Sequence, residues 1–292
     1  MFKSNYLKKI KYYLRYIFIS DETYIKYKFK KYFGYELDFK NPRTINEKLQ
    51  WLKLYDRTSL HTKCADKFEV REYVEDKIGS KYLIPLIFDT FNPEDINIDK
   101  LPDFPVVAKT NHARGVCIIR DKKKEDFINI QKKLTEELKN NFYYRTREWQ
   151  YKNIKPRIIV EKLLLDENNN IPYDYKIWCM NGKVQMFQVD TGKDGEHIIT
   201  FYDKDFKKLD FRKNYPTDNM KKPKTLSKMI ELAEVLSVDF YFVRVDLYTI
   251  NNKVYFGELT FHPEGGFGKF TPHNADLKLG NILTLPEGLK ND

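Results

Sequence analysis

The chemistry of this chain concentrates in residues 241–267, YFVRVDLYTINNKVYFGELTFHPEGGF. Two runs of β-branched and aromatic residues flank Asn251-Asn252, the pattern of a β-hairpin. On the first, Arg244, Asp246 and Tyr248 alternate with Val243, Val245 and Leu247, so one face carries charge and the other is apolar. On the second, Glu258 and Thr260 are expected to share a face with Val254 and Phe256. A turn centred on or just after the asparagines brings Asp246 within about one residue of Glu258, and directly opposed residues have Cβ atoms roughly 4.5–5.5 Å apart. Carboxylates that close repel unless a cation lies between them. A divalent ion on oxygen ligands, with Arg244 beside it, is one reading; a solvated sheet face whose charges never meet is the other.

Other segments carry chemistry with similar alternatives. In FPVVAKTNHARGV, residues 104–116, an apolar strand ends at Lys109 before a small polar loop, which suits a phosphate cradle or a snorkelling surface lysine. In RIIVEKLLLD, residues 157–166, a strand carrying Glu161-Lys162 ends near Asp166. It can present backbone groups to a base and a carboxylate to ribose hydroxyls, or be an ordinary strand with a polar exit. Asp174 and Lys176 share a strand face with Trp178. Asp203-Lys204-Asp205 spells Asp-x-Asp, able to hold Mn²⁺ against a sugar-nucleotide diphosphate or simply to form a solvated turn.

These residues need elements to hold them. Helices are expected over residues 5–33, ending near Gly34, and over 65–77, 124–140 and 225–237. Thr44 and Glu47 stand at capping-box spacing before another. Strands are expected at 83–88, 105–109, 116–120, 157–165, 173–180, 183–190 and 197–202. Asn181-Gly182 forms a type I′ turn between two of them. The alternation is α+β with largely antiparallel sheets.

With 292 residues, 41% of them hydrophobic and only 12 Gly and 12 Pro, the chain can bury a substantial core and is not disordered. Three dispersed cysteines, Cys64, Cys117 and Cys179, argue against a disulfide framework or structural zinc and for a reducing cytoplasm. No apolar run is long enough to span a bilayer, and the N-terminus lacks a secretory signal's apolar core. The net charge of +10 is lopsided: residues 1–34 hold nine Lys/Arg against Asp21 and Glu22, a net +7, leaving +3 for the rest. Aromatic residues interleave with those lysines, which suits an anionic membrane surface or a solvated helix on the body of the protein. No nucleic-acid module is recognisable.

Taken in order, ADKFEVREYV (65–74), PVVAK with its loop, VEKLLL, DYKIWCMNGKV, VRVDLY and GELTFHPEGG resemble an ATP-grasp enzyme. NPRTINEKLQWLKLYD (41–56) narrows the likeness to the group typified by teichuronopeptide biosynthesis proteins, over roughly residues 35–285. The resemblance implies an α+β ATP-grasp fold, two lobes with largely antiparallel sheets gripping ATP. The implied divisions are a basic helical segment (1–34), an N-terminal lobe (35–104), a central ATP-grasp lobe (105–164) and a C-terminal lobe with the metal site (165–292).

It further implies that Lys67 and Lys109 touch ATP phosphates, with the loop from Asn111 to Gly115 closing over them. Glu161, Lys162 and Leu164 would line the adenine pocket, with Asp166 near the ribose. Lys176 would point at the phosphates, oriented by Asp174. Asp246 and Glu258 would hold Mg²⁺, or Mn²⁺, with Thr260 where an asparagine is common, and Arg244 would face a developing acyl phosphate. His262 is the candidate base for an amine, in a loop with Glu264 and Gly265-Gly266 that would meet substrate. The implied activity is ligation of a carboxylate to an amine, with a uronic acid in a sugar nucleotide or lipid-linked glycan as one partner and an amine donor as the other. The expected location is cytoplasmic, peripheral at the inner membrane face if residues 1–34 bind lipid. A kinase without ligation, a metal-dependent glycosyltransferase using Asp203 and Asp205, and a non-catalytic membrane-bound scaffold are the alternatives.

Overall fold

The computed structural model describes residues 11–191 and 197–286. One sheet contains β1 (Leu86–Thr90), β2 (Val106–Thr110), β3 (Val116–Ile119) and β4 (Ile158–Lys162) in the order β1-β4-β2-β3. The other contains β5 (Asp174–Met180), β6 (Lys183–Thr191), β7 (Ile198–Tyr202), β8 (Phe242–Ile250) and β9 (Lys253–Thr260) in the order β7-β6-β5-β8-β9. Every pairing among these strands is antiparallel. The α+β expectation holds, with β1 pairing to β4 although it lies in the stretch assigned to the N-terminal lobe.

Strand alternation builds the cores. In the first sheet Val106, Ala108, Cys117, Ile119, Ile158 and Val160 pack against Leu134 of helix Phe127–Leu138, leaving Val107 and Lys109 on the opposite face. In the second, Tyr175, Ile177, Val189, Val245 and Leu247 meet helix Leu226–Ser237 through Met229, Leu232 and Leu236. On the other face, Trp178, Met186, Phe201 and Phe242 pack with residues of helices Asp21–Phe33, Ile45–Tyr55 and Asn274–Ile282.

Both predicted turns form, with positive φ at both central residues as a type I′ turn demands: Asn181 (50°) and Gly182 (75°), then Asn251 (50°) and Asn252 (60°). Thr44 and Glu47 close the capping box. The expected single N-terminal helix is interrupted. Residues 11–18 are helical, and Ser20 then caps a new helix, accepting from Thr23 N at 3.1 Å. Gly34, at φ 87°, ends it. Lys3, Lys8 and Lys9 of the basic segment lie outside the described residues. Among the described residues no helix is long and apolar enough to cross a membrane.

One irregularity decides the site. Counting back from Asn251-Asn252, Leu247 pairs with Phe256, but Asp246 pairs with Glu258 and not Gly257. Gly257 is a β-bulge, and the extra residue reverses the inside–outside parity of β9. Val254 and Phe256 stay in the core while Glu258 and Thr260 come to the polar face. The expectation that all four share a face is thereby corrected. Only glycine fits: a Cβ there would lie 2.9 Å from a Tyr248 ring carbon and 3.0 Å from Asp246 O.

Candidate active site

The register of the second sheet aligns a polar row across its strands. Glu258 on β9 opposes Asp246 on β8, which opposes Lys176 on β5, which opposes Gln188 on β6. Beside it, Asp174 faces Asp190, and Arg244 lies between Trp178 and Thr260. The cleft-facing side of the first sheet and Lys67 close over this row, enclosing a cleft of about 390 Å³. One wall is apolar, from Ile84, Val107, Ile118, Leu163, Leu164 and Ile171. The rest of the lining combines Lys67, Lys109 and Lys176 with Glu161, Asp174, Asp246 and Glu258. Such a lining can take an apolar ring together with a polyanion and its counter-cation.

The charges are mutually arranged. Glu161, deeply buried, joins Lys109 at 2.7 Å and Arg71 at 3.0 Å. Lys176 donates to Asp174 at 2.6 Å and Asp190 at 2.8 Å. Burial opposes the Lys176 charge, but Asp174, Asp246 and Asp190 outweigh it and hold its pKa above the ordinary range. Between the opposed carboxylates lies the guanidinium of Arg244. It donates to both Asp246 oxygens at 2.6 Å, to Glu258 Oε1 at 3.3 Å and to Thr260 Oγ1 at 3.1 Å. The cation that sequence reasoning required between the carboxylates is, in this structure, Arg244 itself. Burial pushes the Asp246 carboxyl up to about 7 against the pull of Arg244, with Asp174 and Glu258 adding to the rise. Burial acts the same way on Glu258, but Lys67 and Arg244 prevail and hold it down at about 2. Lys67 stands 3.5 Å from Glu258 Oε2.

The donor set fits Mg²⁺. Its cleft-lining members, Asp174, Asp246 and Glu258, are carboxylates, and the buried Asp174 Oδ1 has no hydrogen-bond partner. Among the described residues no three His, Cys, Asp or Glu side chains are grouped so as to hold a metal ion by themselves. Mg²⁺ does not need three, since it is held by one or two carboxylates, here Asp246 and Glu258, with water and phosphate oxygens completing its shell.

The structure brings Lys67, Lys109, Glu161, Lys162, Leu164, Asp174, Lys176, Asp246 and Glu258 to the cleft, with Arg244 and Thr260 bonded to its acidic end. Four expected residues are placed elsewhere. The Asn111 side chain is fully buried and committed: Nδ2 donates to Asp66 at 2.8 Å and Lys155 O at 3.0 Å, and Oδ1 accepts from Arg157 N at 2.9 Å. Gly115 packs under helix Phe127–Leu138, where a Cβ would lie 2.6 Å from Glu137 Cγ. Asp166 Oδ1 accepts from Asn168 N and Asn170 N at 2.9 and 2.8 Å, closing its own turn outside the cleft wall. His262 is buried behind its loop, accepting from Gln150 Nε2 at 3.1 Å, and burial with the nearby Lys53 charge holds its pKa well below the usual range. Asp203 likewise serves a turn, its Oδ1 accepting from Asp205 N at 2.9 Å and Lys207 N at 2.8 Å, and neither aspartate reaches the cleft.

Several residues were not legible as members of this region. Gln50 and Lys53 on helix Ile45–Tyr55 hold the 262–266 loop: Gln50 Nε2 donates to Gly265 O at 3.0 Å and Gly266 O at 2.6 Å, and Lys53 donates to Gly265 O. This gives a physical role to the QWLK part of the 41–56 motif. Lys213, from an irregular stretch, is buried among Trp178, Phe201 and Phe270, bonded to Gln188 and to Glu264. Gln188 in turn donates to Asp190 at 2.8 Å, so polar contacts run from the loop to Lys176. No spacing signal marks Lys213; Gln188 and Asp190 show only as polar residues alternating on an otherwise apolar strand.

Comparison with known proteins bears on this arrangement. The family model described as TupA-like ATPgrasp matches residues 47–284. No curated protein matches the chain. Among solved structures, it is similar to D-alanine–D-alanine ligase from Bacillus anthracis complexed with ATP (14% identity, 68% of this chain and 53% of that one, TM-score 0.40). It is also similar to D-alanine–D-alanine ligase from Helicobacter pylori (16%, 82% and 69%, TM-score 0.41) and to L-amino acid ligase from Bacillus licheniformis (13%, 85% and 57%, TM-score 0.48). The chain spans little more than half the length of the Bacillus proteins. The family match covers both sheets and every residue of the cleft, and on that ground the protein belongs to the TupA-like ATP-grasp family.

Proposed function

We propose that the protein is an ATP- and Mg²⁺-dependent carboxylate–amine ligase acting through an acyl phosphate, and that it amidates a uronic-acid carboxyl in bacterial surface-polysaccharide synthesis of the capsule or teichuronopeptide kind. The observation that carries this is the cleft, whose lining joins apolar side chains to Lys67, Lys109 and Lys176 and to the opposed carboxylates Asp246 and Glu258. A substrate carboxylate attacking the γ-phosphate brings two anions together. Lys67, Lys109 and Lys176 offset that repulsion in a site of reduced dielectric. Asp246 and Glu258 would hold Mg²⁺, with Asp174 Oδ1 within the same acidic end. The metal supplies charge neutralisation on the phosphate oxygens. Metal entry requires Arg244 to release Asp246, which frees its guanidinium to face the acyl phosphate. The carboxylate oxygen forms a bond to phosphorus as the β–γ bridge breaks and ADP leaves. The amine then attacks the acyl carbon, the bond from that carbon to the phosphate oxygen breaks, and the proton shed by the amine leaves with the phosphate. The uronic acid would arrive as a sugar nucleotide or lipid-linked glycan, in the cytoplasm.

Thermal unfolding with Mg²⁺ and a non-hydrolysable ATP analogue, against Mn²⁺ and UDP, tests the nucleotide assignment. At about 100 times Kd a ligand stabilises by roughly 2.7 kcal/mol. Stabilisation by the ATP analogue, lost in Glu258→Gln, is expected, and amine-dependent phosphate release then separates ligation from simple phosphorylation. Stabilisation by the uridine nucleotide alone would overturn the proposal.

A further inference from the structure

We infer that the outward face of residues 11–19 is a docking surface for an anionic bilayer, a property separate from the ATP chemistry and independent of it. The helix over residues 11–18 is held from one side. Arg147, fully buried, donates from Nη2 to Arg15 O at 3.1 Å and Ile19 O at 3.2 Å. Tyr16 packs on Tyr143 and Tyr144 with centroids at 5.4 and 5.2 Å, and the Arg15 guanidinium lies 4.1 Å from the Tyr24 ring centroid. On the other side Leu14 is 47% exposed, Ile17 53% and Phe18 79%, with Tyr13, 50% exposed, at the boundary where its ring packs edge-on against Tyr144 at 5.4 Å. At about 100° per residue these four fall in one stripe roughly 140° wide, with exposed Lys11 at its margin. Single exposed apolar residues are ordinary on a protein surface, but a contiguous aromatic and aliphatic stripe marks an interaction face.

Charge selects the occupant. The segment 1–34 carries a net +7 of the chain's +10, with Lys11 beside the stripe and Lys26 and Lys30 ion-paired on the next helix, and a partner both apolar and negative fits that balance. A second copy would set +7 against +7, and nucleic acid offers no apolar boundary. An anionic headgroup layer over acyl chains satisfies both demands, with the helix lying in the interface plane. The following helix is fastened to the 262–270 loop: Phe33 stacks on Phe267 at 6.2 Å, and Lys28 lies 4.2 Å from the same ring.

The experiment is co-sedimentation of the full chain with vesicles of phosphatidylcholine alone or with about one third phosphatidylglycerol, at low and high salt. Binding to the anionic vesicles, at least about tenfold weaker on neutral ones and weakened by salt, is expected. Lys11→Glu should weaken it about fivefold or more. Ile17→Ser with Phe18→Ser should weaken it at least about tenfold with unchanged thermal unfolding, since both side chains are outside the core. Equal binding to neutral vesicles, no binding at low salt, or undiminished binding by the double variant would each overturn the inference. So would a concentration-dependent dimer that the double variant abolishes, which would assign the face to a second copy.

Discussion

Gly257→Ala tests how the fold aligns its two opposed carboxylates. The added Cβ would lie 2.9 Å from a Tyr248 ring carbon and 3.0 Å from Asp246 O, where ordinary contacts are about 3.5–4.0 Å. Neither neighbour is the loose end of a surface side chain: one is a ring in the cleft wall and the other is strand backbone. Relief must come from moving Gly257, and Glu258 moves with it. Overpacking of this kind costs roughly 1–3 kcal/mol, which for a chain of this size lowers Tm by about 2–10 °C. The larger effect falls on the site, where a shift of ~1 Å costs on the order of 100-fold. Thermal unfolding of the ligand-free protein should show the modest loss. Titration with a non-hydrolysable ATP analogue should show Mg²⁺-dependent affinity falling at least about tenfold, with the metal-free affinity falling less. Asn252→Gly, which relieves the left-handed φ of 60° at the turn, is the control and should keep both. Wild-type Mg²⁺–nucleotide affinity in Gly257→Ala would refute the claim that the bulge sets the site.

Two further outcomes follow from the same geometry. Asp246, with its carboxyl pushed up to about 7, is largely protonated below that pH, whereas Glu258 at about 2 is ionised throughout. A divalent ion must displace Arg244 at every pH and the Asp246 proton as well below about 7, so Mn²⁺ affinity of the nucleotide-free protein should rise by up to about tenfold per pH unit from 5 toward 7 and level off above. Water-proton relaxation would measure it, and a flat profile would contradict a buried, protonated Asp246. Asn111→Ala strips partners from Asp66, Lys155 O and Arg157 N, and unsatisfied buried groups cost ~1–3 kcal/mol each. Denaturant titration should therefore show a loss of several kcal/mol, with nucleotide affinity changed less than about threefold. Unchanged stability with lost nucleotide binding would return Asn111 to the phosphates.

Much of this protein is written locally. The alternation in VVAKT and VRVDL, the Asn-Asn and Asn-Gly turns and the Thr44–Glu47 box depend on residues within a few positions of one another, so the sequence alone determined those strands, turns and helix starts. The concentration of charge in residues 1–34 is likewise composition, visible without coordinates. What the sequence left open involves competition for a side chain. Asn111 and Asp166 have the types that contact phosphate or ribose, yet Asp166 bonds the backbone of its own turn, and Asn111 bonds Asp66, Lys155 O and Arg157 N, partners that only tertiary folding brings beside it. His262 is a plausible base by type, and only packing shows it buried behind Gln150. Lys213 has no mark at all, since its burial depends on three aromatic residues from distant parts of the chain. Arg244 was expected beside a metal, and only tertiary structure put its guanidinium between the carboxylates. The face on which Glu258 lies was decided by one unpaired residue. A period of two predicts the wrong face after Gly257, because a bulge arises from the fit of two strands and leaves no trace in the alternation of either one.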